Sequence, residues 1–180
     1  MEPASGQSTF METTRETTWT PPPALIAGPE MEALKKFMSD CDWIGSVQAG
    51  GMGQGSPEME ATGKGRFTPI MDGVWLVGDF EQNQYVSGNL LIIWKMHFIV
   101  GWNPTTQSYK IALVDNNGTA DLMSGRIEGN RFMAENSPGG PVRLELVWEL
   151  VGDGTIKWTN RCSINEGPWF VVEEYICTPV

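Results

Sequence analysis

The sequence predicts an all-β protein: a single antiparallel up-and-down β-barrel of about eight to ten strands, with one short helix near its N-terminus. Three observations carry this. Runs rich in Val, Ile, Trp and Phe recur through most of the chain, compact turn signals separate them, and side chains within the runs alternate with the two-residue period of a strand. The turn signals are Asp72-Gly73, Asn116-Asn117-Gly118, Glu128-Gly129-Asn130, Pro138-Gly139-Gly140 and Gly152-Asp153-Gly154. Gly, Asn and Asp accept the positive φ of tight hairpins, so each signal predicts a short loop between antiparallel neighbours. A meander this long protects its edges best by closing on itself.

With 180 residues the chain fits one domain with a substantial core. Residues 1–27 are rich in Ser, Thr, Pro and Glu with little to bury, which predicts a disordered tail, and the barrel domain spans 28–180. The spacing predicts a helix over 29–38: Pro29 and Glu30 suit a first turn, and Met31, Leu34, Phe37 and Met38 form an apolar stripe that should dock on the barrel. A strand over 41–45 leads into a loop at 50–55 that contains four glycines. Further strands are expected over 59–68, 73–83, 89–102, 109–115, 119–128, 131–135, 142–152, 155–164 and 169–178.

Alternation sorts each strand into two faces. Val142, Leu144, Leu146, Trp148 and Leu150 form one class against Arg143, Glu145, Val147 and Glu149. Trp94, Met96, Phe98 and Trp102 belong to a wholly apolar class, which leaves His97 on the opposite face unless a β-bulge reverses the parity. Trp158 and Asn160 are expected to point inward together. Eight tryptophans are a high load, and Trp75, Trp94, Trp102, Trp148 and Trp158 all lie on predicted strands. Large rings around a closed sheet can fill a core or frame a cavity, and their excess here favours a pocket.

Composition excludes several functions. A net charge of −10 lacks the basic field that nucleic acids and acidic membranes require. The longest apolar run, 90–100, is interrupted by Lys95 and His97 and is shorter than the ~20 residues of a membrane-spanning helix. With no basic, apolar leader visible, the expected location is cytoplasmic. Cys41, Cys162 and Cys177 form no C-x-x-C pair and read as buried thiols. One histidine and scattered cysteines make no metal constellation, and the chain carries no nucleophile elbow, P-loop or dinucleotide fingerprint.

The segments Trp75-Leu76-Val77-Gly78-Asp79-Phe80-Glu81, Val100-Gly101-Trp102-Asn103-Pro104 and Val114-Asp115-Asn116-Asn117-Gly118-Thr119 resemble a family of lipocalin-like bacterial barrels known as a domain of unknown function. Its members typically read W-L-V-x-E-F, G-Y-D and D-N-x-G-T. The likeness covers 34–129 well and the remainder more loosely. It implies a barrel related in fold to lipocalins, fatty-acid-binding proteins and nitrobindin, with a ligand cavity and no common chemistry. Trp102-Asn103 replaces the family's Tyr-Asp, which removes a carboxylate and any role attached to it.

The expected function is therefore binding of a small apolar or aromatic metabolite in the barrel. The leading form is a cofactor-independent cyclase, isomerase or lyase of a natural-product pathway, which would hold a reactive conformer and move a proton. His97, Glu81, Glu173 and Tyr175 are the candidate acid–base residues. Trp75, Trp94, Met96, Phe98, Trp102, Trp148, Trp158, Asn160 and Tyr85 are the candidate binding residues. Two alternatives stand beside it: a non-catalytic carrier or sensor of an apolar ligand, and a haem barrel with His97 as axial ligand. The expected partner is a small ligand, with a homodimer compatible with the exposed sheet.

Overall fold

The computed structural model describes residue 20, residues 23–137 and residues 140–180. Most of the predicted tail lies outside the described residues. Helix α1 (Pro29–Leu34) is followed by ten strands: β1 (Cys41–Val47), β2 (Met59–Ile70), β3 (Trp75–Val86), β4 (Asn89–Asn103), β5 (Ser108–Asp115), β6 (Ala120–Glu128), β7 (Arg131–Asn136), β8 (Val142–Gly152), β9 (Thr155–Ile164) and β10 (Phe170–Pro179). Every strand pairs antiparallel with its neighbours in the chain, and β1 pairs with β10, which closes the barrel. Closure satisfies both edges of the meander. No helix among the described residues is long and apolar enough to cross a membrane.

Each strand is half-buried because its sequence alternates. On β3 the inward class is Leu76, Gly78, Phe80, Gln82 and Gln84, and on β4 it runs from Ile92 through Trp94, Met96, Phe98 and Val100 to Trp102. The register of the β3–β4 pair shifts between Gln84 and Tyr85, before Ile92, so parity is unbroken from Ile92 onward. The bulge that could have brought His97 inside is thus at the wrong end of the strand. A second shift, between Val171 and Glu173 on β10, separates Val171 from the inward Glu173 and Tyr175.

The helix is shorter than its apolar stripe predicts. After Leu34 the chain tightens into turns, with Lys36 N bonded to Ala33 O and Phe37 N to Leu34 O, because it must reverse into β1. Met31, Leu34, Phe37 and Met38 are nevertheless all buried. They plug the end of the barrel where β1 starts. Tyr109 donates its hydroxyl to Glu30 O at 2.7 Å, and Phe37 meets Phe132 at 6.3 Å between ring centroids. Burial pushes the Tyr109 hydroxyl up to about 12.

Aromatic rings pack the middle of the barrel. Trp148 and Trp158 stack at 5.6 Å with planes 12° apart, Trp43 meets Trp158 edge-on at 5.5 Å, and Phe80 stacks on Phe98 at 5.1 Å. Such bulk needs small residues opposite. A side chain at Gly63 would collide with the Trp43 indole, which lies across that position. The three cysteines are buried and unpaired.

Gly63→Ala should therefore lower the unfolding free energy in urea by about 1–3 kcal/mol, the usual cost of over-packing a filled core. An unchanged midpoint would mean that Trp43 can move off Gly63 at no cost.

Candidate functional site

The half of the barrel away from α1 has a different interior. There the inward positions include Gln82 and Gln84 on β3, Asn160 on β9, and Glu173 and Tyr175 on β10, all buried. They reach one another because β2 and β1, which separate β3 from β10, carry small inward residues: pairing runs from Gln84 to Ala61, to Gly45, to Tyr175. Trp43 Nε1 donates to Gln82 Oε1 at 3.1 Å, and Gln82 Nε2 donates to the Tyr175 hydroxyl at 2.9 Å. Glu173, two residues before Tyr175 and on the same inward face, accepts from Asn160 Nδ2 at 2.5 Å.

Among the described residues Glu173 has no counter-ion. Arg161 pairs outside the barrel with Glu145 at 2.9 Å, Arg143 with Glu135 at 3.3 Å, and the neighbouring Glu174 faces outward to Lys157 at 3.0 Å. Both arginines are therefore on the outer face, and inside the barrel Asn160 is the hydrogen-bond partner of Glu173. Burial raises the Glu173 carboxyl above its ordinary range, and the hydrogen bonds from Asn160 and Tyr175 only partly offset this. Burial, with Glu173 beside it, pushes the Tyr175 hydroxyl up strongly as well.

Among the described residues, four buried polar atoms have no protein partner: both amide atoms of Gln84, Asn160 Oδ1 and Trp158 Nε1. Gln84 is 0% exposed, so water at the surface cannot satisfy it. An unsatisfied buried group costs about 1–3 kcal/mol, which a folded core rarely tolerates without a use for it. At the rim, Trp94 Nε1 donates to Asp115 Oδ2 at 3.1 Å, while Asp115 Oδ1 accepts from Asn117 N and Thr119 N and ties the β5–β6 turn to the mouth. Asp121 lies beside it on β6 and accepts from Asn136 Nδ2 at 3.1 Å.

The predicted site residues divide by face. Trp94, Met96, Phe98, Trp102, Trp148, Trp158, Asn160, Glu173 and Tyr175 are on the inward parity, although Trp102 lies at the helix end, packed on Tyr109 at 5.0 Å, and Trp148 and Trp158 mostly contact other rings. Trp75, Tyr85, Glu81 and His97 lie outside. Trp75 covers Gly101 on the outer surface, and Tyr85 stands opposite the exposed Glu60 and Leu90. Glu81 bridges Lys64 at 3.3 Å and Lys95 at 3.2 Å, and these ammonium groups, Lys95 foremost, hold its carboxyl below the ordinary range.

His97 is 48% exposed, with Nδ1 2.7 Å from Asp79 Oδ1. The pair opens into a shallow outer hollow of about 400 Å³ shared with Lys64, Arg66, Glu81 and Lys95. No serine, threonine or cysteine lines that hollow, so the dyad has no nucleophile to activate there. Nor can its imidazole reach a macrocycle inside the barrel. The interior therefore does not fit a haem held by His97, and among the described residues no cluster of three or more His, Cys, Asp or Glu could hold a metal.

Sequence reasoning overlooked Gln82 and Gln84. Their signal was the alternate face of the Trp75 strand, an uncharged class in which two glutamines follow Phe80. Such a run reads as ordinary strand until closure shows that it faces a sealed interior.

Compared with known proteins, the sequence matches no family model and no curated protein. Its fold does have a solved counterpart. The crystal structure of Rv2717c from Mycobacterium tuberculosis superposes with a TM-score of 0.62 at 12% identity, over 85% of this chain and 98% of that one. Identity this low speaks for the fold alone, and the closed barrel of ten strands fits a lipocalin-like architecture.

Because burial raises Glu173, the folded protein holds that proton more tightly than the unfolded chain. The stabilisation is complete below the ordinary carboxylate range and is lost as pH rises through the raised value. Urea stability of the wild type should decline over that interval, and Glu173→Gln should flatten the decline. Parallel pH profiles for the two proteins would show Glu173 to be ionised without penalty.

Proposed function

We propose that the protein binds a small, largely apolar or aromatic molecule inside the barrel, in the half away from α1. The observation that carries this reading is Gln84, a fully buried amide with neither its donor nor its acceptor used by the protein. A ligand that brings a complementary polar group satisfies the amide, and the surrounding rings and aliphatic side chains bury its body. Ile92, Trp94, Leu144 and Leu146 supply apolar surface on the inward parity toward this half.

Prodan, a neutral naphthyl ketone whose emission shifts to the blue on burial, is a suitable probe. Binding should produce that shift, and Gln84→Met should weaken it about 3- to 10-fold, the worth of one hydrogen bond. The same substitution removes two unsatisfied polar atoms, so it should leave thermal stability equal or raise it. Wild-type protein that fails to shift prodan emission, or a Gln84→Met variant that binds it equally well, would overturn the reading.

A second reading, catalysis by proton transfer, is favoured by Glu173. A carboxyl whose pKa burial raises, held by Asn160, is equipped to give a proton to a bound carbonyl or alkene and take one back, as an isomerase or cyclase requires. In D2O the protein should accelerate exchange of the α-hydrogens of 2-tetralone, an enolisable aromatic ketone, as followed by NMR. Glu173→Gln should abolish the acceleration, while His97→Ala and Glu81→Gln on the outer face should retain it. Bound ketone that exchanges at the buffer rate would leave a carrier or sensor.

A further inference from the structure

The strands keep one sign of charge out of the barrel. Every lysine, arginine and histidine on them stands on the outward parity: Lys64 and Arg66 on β2, Lys95 and His97 on β4, Lys110 on β5, Arg126 on β6, Arg131 on β7, Arg143 on β8, and Lys157 and Arg161 on β9. Carboxyl groups, by contrast, do face inward. Glu173 is buried at depth without a counter-ion, and Asp115 and Asp121 stand at the mouth. Among the described residues, then, the interior holds acids and no base.

This arrangement discriminates between ligands. A fatty acid or other anion would enter an interior with no cation to meet it and would place its charge near a buried carboxyl. An organic ammonium would find the reverse. Its N–H groups need acceptors, and the interior offers the Glu173 carboxyl together with Asn160 Oδ1 beside it, the latter unused by any protein donor. Gln84 Oε1, also unused, faces the same interior from β3, in the row of paired residues that leads through Ala61 and Gly45 to Tyr175. The indole and phenol faces around these groups attract a cation by their quadrupoles.

We infer that the interior site takes a lipophilic amine: a ligand with an apolar or aromatic body and a protonated nitrogen seated against Glu173 and Asn160. This rests on the interior-binding reading above and adds the charge of the ligand to it. Glu173 would then be the ammonium's anchor, with Asn160 and Tyr175 positioning its carboxyl. The unpaired acid is thereby explained as a binding group completed by the ligand.

Decylamine, decanol and decanoate share one chain and differ only in head-group charge. Each is titrated into the full-length protein at neutral pH and about 0.15 M salt, which screens attraction to the acidic outer surface. Tryptophan emission and displacement of prodan are both followed. Decylamine should act at a concentration about tenfold or more below that of decanol, as a charge-assisted hydrogen bond demands, with decanoate weakest. Glu173→Gln, close to isosteric, should erase the preference for amine over alcohol while still binding decanol, and Asn160→Leu should reduce that preference.

Decanol or decanoate equal to decylamine in the wild type would overturn the amine assignment and leave interior binding standing. An amine preference that survives Glu173→Gln would assign it to the surface field and would also overturn the proposal. Failure of all three compounds and of prodan would instead overturn interior binding itself, and the amine assignment with it.

Discussion

The buried polar chain from Trp43 through Gln82 to Tyr175, with the Asn160–Glu173 pair beside it, is the constraint on which this barrel turns. It joins four strands, β1, β3, β10 and β9, across an interior that is otherwise apolar on the helix side. Each member uses a donor or acceptor that would be costly to bury alone, so the chain tolerates no slip of register. It also explains the small residues beside it. Gly45, Ala61 and Gly63 leave the space in which the Trp43 ring lies flat and the Gln82 amide reaches Tyr175.

From this chain follows the division of the barrel into two halves. Toward α1 the interior is closed by aromatic stacking and by the helix plug, and it behaves as a core. Away from α1 the interior is partly polar, and not all of its polar groups are satisfied by the protein. Stability is thus concentrated in one half and surrendered in the other, a common sign of a site held ready for something else. The tryptophans serve both halves: Trp148 and Trp158 stack as core, Trp43 orders the polar chain, and Trp94 ties its indole to the rim through Asp115.

Much of the architecture was legible because strands of a meander are local. Alternation in 142–152 and 155–164, and the Gly, Asn and Asp turns between strands, required no knowledge of distant partners, and the observed strand limits fall within a few residues of those expected. Inward placement of Trp94, Met96, Phe98, Trp158 and Asn160 followed from the same periodicity. His97 was the ambiguous case, and the position of the β3–β4 register shift decided it: the shift precedes Ile92, so the imidazole stays outside.

What the sequence by itself determined is the set of faces within each uninterrupted strand: which residues travel together up to a bulge such as the one that parts Val171 from Glu173, and that the basic residues oppose the apolar class. Only the tertiary structure decided which face is sealed and which residues meet there. Glu81 sits among aromatic residues in the sequence and among lysines in space, because β2 and β4 bring Lys64 and Lys95 beside it. Gln84 and Glu173 lie on opposite sides of the chain order, yet face one interior because β1 closes onto β10. Strand periodicity is a property of neighbouring residues, whereas closure and the register shifts are properties of the whole sheet, and it is these that turn a polar strand residue into a buried one.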